Sequence, residues 1–188
     1  PSPAASPTPT PIPAPTPTPT IDYRTPEYSR STGLELANAV PAYQAGATGA
    51  GVTAAVIDSG VNPGLQEFAG RISSASQDLS GSRGLGDHGG HGTAVSGVLL
   101  AAKNDNGIHG MAFDATLLAL RTDTPGSCTS TGGCSHTDSA IAHALDVAVA
   151  QRARREYLPG RLGRRCDATR RNRARHGSRH GDRYLRRQ

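Results

Sequence analysis

The sequence predicts an α/β domain: a parallel sheet with helices on both faces. Three observations carry that expectation. Val52–Ile57 (VTAAVI) and Ala115–Leu120 (ATLLAL) are short, near-continuous apolar runs. Strands buried on both faces read this way, and they belong to parallel sheets covered by helices. Segments with helical apolar spacing follow each run, so the order is strand, helix, strand, helix. No internal repeat is visible, and 188 residues suit one ordinary domain.

The elements follow in order. Pro1–Thr20 holds nine prolines, mostly alternating with Thr, Ala or Ser. Proline fixes φ and removes a donor, so this stretch is expected to be an extended spacer. A ligand for a polyproline-reading groove is the functional alternative. Order is expected from near Ile21, and the spacer as a whole is assigned to residues 1–26. Gly33–Gln44 places Leu34, Leu36, Ala37, Val40 and Tyr43 on one helical face, with Ser31 or Thr32 as cap. Pro41 should kink or end that helix. Gly46–Gly51 is a turn before the first strand. His91–Lys103 predicts a helix whose small residues Gly92, Ala94 and Gly97 permit close neighbours, ended by Asn104–Gly107. Asp138–Ala150 predicts the clearest helix, with Ile141, Leu145 and Val149 on one face and Thr137 or Asp138 at its start.

Composition narrows the function classes. Net charge is +5, but residues 151–188 hold 14 Arg against three acids, whereas residues 1–150 carry a net of −6. The basic character therefore belongs to the tail. No apolar run approaches the roughly 18 residues of a membrane span. Three cysteines exclude a zinc ribbon or a disulfide scaffold. No signal peptide opens the chain as written. The chain begins with Pro, and we expect a processed form or a fragment.

The candidate chemistry lies at Asp58 and His91. Asp58 ends the first strand, and open α/β sheets place their sites at that edge. His91 stands at a predicted helix start after two glycines. A helix amino end disfavours a protonated imidazole, and a neighbouring carboxylate would orient the ring for general-base work. Each residue also has a plainer reading. A strand-end Asp often only forms a turn, and a His among glycines is often only an exposed loop residue. Asp87, His88 and His91 as metal ligands form a third reading. A dinucleotide fingerprint fails, because Gly46–Gly51 precedes a strand rather than following one.

Val52–Gly60 (VTAAVIDSG) followed by His91–Val98 (HGTAVSGV) resembles the subtilisin-like serine peptidases, the subtilases. The family marks are a strand ending Asp-Ser/Thr-Gly and a helix start His-Gly-Thr-x-Val-Ala-Gly. Gly46–Gly51, Leu65–Ile72 and Asn104–Ala112 resemble the family's adjoining segments. The resemblance runs from about Gly33 to Ala150, so residues 27–150 are assigned to the amino-terminal half of a subtilase catalytic domain. It implies a serine endopeptidase with Asp58 as orienting acid and His91 as general base. It implies protein or peptide substrates and, by family habit alone, room for calcium; no cofactor is otherwise expected. Ser96 stands where the family has Ala. The nucleophile motif Gly-Thr-Ser-x-Ala-x-Pro, the Gly-Asn oxyanion motif and the Ser-Leu-Gly strand are absent, so an inactive fragment is expected. The spacer and Tyr23–Glu27 resemble autotransporter subtilases, which implies a secreted or cell-envelope location. A membrane is expected only through a missing carboxyl-terminal part. Cys128 and Cys134 are expected to pair in an oxidising compartment, with Cys166 free; zinc held by both and His136 is the alternative.

The tail, residues 151–188, has two readings. Arg suits phosphate, so the tail reads as a non-specific nucleic-acid arm. The other reading, which we favour, is a one-nucleotide frame shift near Ala150–Gln151, leaving a disordered tail. Most Arg codons read one letter later become Ala, Gly, Val, Asp or Glu codons. Arg154–Arg161 then permits Val-Val-Asn-Ile-Ser-Leu-Gly-Gly, and Arg183–Gln188 permits Val-Ile-Ser-Ala-Gly and then Asn or Lys. These are two of the missing family segments, in the family's order. A non-catalytic surface protein is the remaining alternative. No specific nucleic-acid partner is expected, and the sequence gives no oligomeric state.

Overall fold

The computed structural model describes residues 21–128 and 133–153, and the backbone of 155–157. The expectations for Pro1–Thr20, for Cys166 and for the rest of the tail lie outside them. Four parallel strands form one sheet: β1 (Thr53–Asp58), β2 (Gln77–Asp78), β3 (Thr116–Arg121) and β4 (Arg155–Tyr157), in the order β2-β3-β1-β4. The two apolar runs are β1 and β3. They pair in register from Thr53 with Thr116 to Asp58 with Arg121.

Alternation along both strands builds two cores. Ala55, Ile57, Leu118 and Leu120 point to one face and meet Ile141, Ala144, Leu145 and Ala148 of helix α5 (Asp138–Ala150). Thr137 caps α5 by accepting from the Ala140 amide. Ala54, Val56, Leu117 and Ala119 point to the other face. They meet Phe68 of a short 3-10 turn (Gln66–Phe68) and Leu100 of helix α4 (His91–Leu100). The fold is therefore the α/β sheet, covered on both faces, that the sequence predicts.

Three short helices lie ahead of β1: α1 (Pro26–Arg30), α2 (Thr32–Leu36) and α3 (Val40–Gln44). The single helix expected over 33–44 is broken. Asn38 adopts a positive φ of 49°, and Pro41 falls within the first turn of α3, where its missing amide costs no helical bond. Pro41 thus starts a helix rather than ending one. Ser31 precedes α2, but its side chain makes no capping bond. α1 was not expected; Thr25 caps it through the Tyr28 amide. Tyr28, Leu34, Val40, Tyr43 and Phe113 close a third core, against which Tyr23, inside the assigned spacer, also packs.

α4 ends at Leu100, three residues before the predicted end. The returning chain accounts for the early stop. The Ala101, Met111 and Ala112 amides donate to the carbonyls of Gly97, Val98 and Leu99, and the Arg71 guanidinium donates to that of Leu100. All four carbonyls of the last turn are satisfied, so nothing favours a further turn. Gly110 permits this crossing, because a Cβ there would lie 2.3 Å from the Leu100 amide nitrogen.

Candidate active site

Asp58 is the last residue of β1 and is buried, its side chain 2% exposed. His91 opens α4, and its side chain is 57% exposed. The structure brings the two together: Nδ1 of His91 lies 2.9 Å from both carboxylate oxygens of Asp58. A carboxylate only accepts, so Nδ1 carries the hydrogen and Nε2 is left as the basic nitrogen. Among the described residues Nε2 has no hydrogen-bond partner. The Ser59 amide also donates to Asp58 Oδ1, at 2.7 Å.

Glycine makes the approach possible. Gly90 takes the N-cap position with φ 74°, a conformation that side chains with a Cβ rarely adopt. At Gly92 a Cβ would sit 2.2 Å from the Gly60 carbonyl oxygen and 3.1 Å from Asp58 Cβ. The first turn of α4 therefore rests directly on the strand end. The same reasoning fails at Gly97, where a Cβ would meet nothing within 4 Å. The small residues of α4 matter at its start, not along its length.

The loop into His91 is held by groups that sequence reasoning passed over. Asp87 accepts from five donors: the Ser59 hydroxyl, the Gly89, Gly90 and Thr93 amides, and the Thr93 hydroxyl. Burial pushes its carboxyl up, but the bonds from Thr93, Ser59 and Gly90 outweigh burial and hold it below the usual carboxylate range. A carboxylate so engaged is not free to bind a metal, and among the described residues no three His, Cys, Asp or Glu side chains gather to hold one. His91 is itself committed to Asp58. In the Asn104–Asn106 loop, Asn104 Oδ1 accepts from the Asn106 amide, and its Nδ2 donates to Glu67.

Behind the site lies an ion network. Arg83 pairs with Asp78 and Asp123 at 2.9 Å, and buried Arg121 pairs with Asp123 at 2.6 Å. Arg121 also donates to the Gly86 carbonyl, which ties the loop before Asp87 to β3. Asp78 and Asp123 are pushed up by burial, yet their Arg partners bring both below the usual range. Cys128 and Cys134 are joined by a disulfide. It lies against Gly89, where a Cβ would come 2.8 Å from the Cys134 sulfur. His136, the third member of the zinc alternative, turns Nδ1 onto the Thr122 hydroxyl at 2.9 Å.

Among the described residues, Ser59, Ser96 and Ser139 have other surroundings than His91. Ser59 Oγ donates to Asp87 and accepts from the Gly92 amide. Ser96 is buried inside α4 without a hydrogen-bond partner. Ser139 sits at the start of α5 beside Thr137. None of them bonds His91.

A model of the subtilase family matches residues 49–153, more than half of the chain. The chain belongs to the subtilase family. The matched span contains β1, α4, β3 and α5, with Asp58 and His91 inside it. Two solved structures are similar to this subtilase. One is a cold-adapted subtilisin-like serine proteinase: 32% identity, 56% of this chain and 34% of that chain covered, TM-score 0.44. The other is fervidolysin from Fervidobacterium pennivorans, a keratinolytic enzyme related to subtilisin: 22% identity, 60% of this chain and 17% of that chain covered, TM-score 0.50. The chain thus spans about a third or less of the length of either. No curated protein matches it. Among the described residues no helix is long and apolar enough to cross a membrane.

Proposed function

We propose that Asp58 and His91 are the orienting acid and the general base of a serine endopeptidase site that acts on proteins or peptides. One observation carries this reading: Nδ1 of His91 is 2.9 Å from both oxygens of Asp58, and Nε2 is left unengaged on a largely exposed ring. In such a site Nε2 takes the proton of a serine hydroxyl as its oxygen attacks the scissile carbonyl. It then hands that proton to the leaving amine, and the resulting acyl-enzyme is hydrolysed by water. Asp58 keeps the ring in the Nδ1–H tautomer and stabilises the imidazolium formed between the two steps.

The 188 residues as written supply no nucleophile to this pair, and we propose that this polypeptide is inactive. A frame shift near Ala150–Gln151 remains our reading of the Arg-rich tail. It is supported by the place of β4, whose backbone runs parallel to β1 from Ala54–Arg155 to Val56–Tyr157. Arg-Glu-Tyr is an unusual sequence beside so buried a strand, and the shifted frame permits Val-Asn-Ile there. A secreted or cell-envelope location, of autotransporter type, is supported by the disulfide and by the Pro/Thr-rich spacer.

The test is to express the 188-residue chain and a frame-restored gene side by side. Both are assayed for casein cleavage and for labelling by a fluorophosphonate. We expect no labelling of the first and labelling of the second at a Gly-Thr-Ser serine. Labelling of the 188-residue chain that disappears in His91→Ala would overturn the proposed inactivity. A restored frame without Gly-Thr-Ser would overturn the parent activity.

A further inference from the structure

We propose that Asp87 is a positioning residue for His91, acting through a clasp that joins the end of β1 to the start of α4. The proposal rests on reading Asp58 and His91 as the acid and base, and it concerns what fixes their geometry.

A largely exposed His91 ring has few packing neighbours to set its orientation. Its backbone has little intrinsic preference either, since two glycines precede it and Gly90 is left-handed. Direction must come from polar contacts. Asp87 supplies them on both sides of His91. Its Oδ1 accepts from the Gly89 amide at 3.1 Å and the Gly90 amide at 2.8 Å, just before His91. Its Oδ2 accepts from the Thr93 amide at 2.8 Å and the Thr93 hydroxyl at 2.6 Å, just after it. The same Oδ1 accepts from Ser59 Oγ at 2.8 Å, and Ser59 Oγ accepts from the Gly92 amide at 3.0 Å. Ser59 in turn donates its amide to Asp58 Oδ1.

Besides the Asn62 amide, which donates to Thr93 Oγ1 at 3.0 Å, two routes connect strand and helix. One is the His91–Asp58 contact itself. The other runs Asp58, Ser59, Asp87 and then the amides of the first turn, passing around His91. Three amides that a helix start leaves without intrahelical partners are met by the clasp. The negative charge also suits the amino end of α4. Only a carboxylate fits. An amide at this place would turn an NH2 group toward one set of N–H or O–H donors, leaving a donor facing donors.

The readout is the His91 Nδ1–H resonance in proton NMR of the ring-¹⁵N-labelled 188-residue chain, cold and near neutral pH. Asp58→Ala, which removes the acceptor, assigns the signal by its loss. We expect the resonance in the parent chain and in Ser59→Thr, which keeps the hydroxyl. We expect it lost in Asp87→Asn and broadened in Ser59→Ala. Methyl resonances of Leu118 and Ile141, in the core on the far face of the sheet, show whether each variant is folded. Should Asp87→Asn not fold, the Ser59→Ala and Ser59→Thr pair decides. An unchanged resonance in folded Asp87→Asn, or equal spectra of the two Ser59 variants, overturns the role of Asp87 alone. Absence of the resonance from the folded parent chain overturns the Asp58–His91 pairing and this proposal with it.

Discussion

Gly92→Ala is a small change with a calculable consequence. The new Cβ would lie 2.2 Å from the Gly60 carbonyl oxygen and 3.1 Å from both the Gly60 amide nitrogen and Asp58 Cβ. Carbon and carbonyl oxygen normally close to about 3.3 Å, so the first turn of α4 must retreat by about 1 Å. Gly60 is held in place from its own side, because the adjoining Val61 amide donates to the Leu85 carbonyl at 2.8 Å. Carried on the same turn, His91 Nδ1 would move from 2.9 Å to about 4 Å from Asp58, beyond hydrogen-bond range. Overpacking of this kind costs about 1–3 kcal/mol. At about 4 °C per kcal/mol for a domain of this size, thermal unfolding should fall by about 4–12 °C. Gly97→Ala is the control on the same helix, where a Cβ meets nothing within 4 Å. It should be neutral or should stabilise by up to about 1 kcal/mol through helix propensity. Calorimetry of the three chains, with NMR of the His91 Nδ1–H, reads both effects. A Gly92→Ala melting temperature within a degree of the parent, with the imidazole signal intact, would show that α4 does not rest on the strand end.

Thiol titration of unreduced protein should find one free thiol, Cys166, and three after reduction; three before reduction would remove the Cys128–Cys134 bond. Cys134→Ser should cost about 2 kcal/mol by loop-closure entropy, measured by denaturant unfolding. Acid should weaken the fold through Asp78 and Asp123, whose folded-state carboxyls lie below the usual range. Their stabilisation is present above the unfolded carboxylate pKa of about 3.9 and is lost as pH falls through the lower folded values, so the unfolding midpoint in urea should drop below about pH 4. In Asp78→Asn with Asp123→Asn that acid-dependent drop should shrink, and an unchanged drop would assign it to other carboxyls.

Legibility differed from element to element for physical reasons. β1 and β3 are apolar on both faces, so their period and length mark them without any tertiary knowledge. α5 has a capping threonine and one clear apolar stripe. The helix over 33–44 misled because Leu34, Val40 and Tyr43 do share one core, but through two helices whose junction is set by Asn38 at positive φ. The end of α4 misled because tertiary partners, Arg71 and the returning Met111–Ala112 segment, take its last carbonyls. Asp58 and His91 were visible as residue types at a strand end and a helix start. Asp87 was visible only as a metal candidate, since sequence does not show that one carboxylate meets five donors.

The Asp58–His91 contact is assembled between Thr53 and Asp123. β1 supplies Asp58, the start of α4 supplies His91, and β3 anchors the intervening loop through Arg121 and Asp123. β1 lies between β3 and β4, and the groups that orient His91 come from the end of β1 and from the loop that Arg121 of β3 ties down. Among the described residues after Ala150, Arg155–Tyr157 pair with the other edge of β1 as β4. The described contacts of Asp58 and His91 all come from residues before Ala150, so the frame shift we propose for the tail leaves the geometry at Nδ1 untouched. Restoring the frame is expected to change reactivity without moving the 2.9 Å contacts between His91 and Asp58.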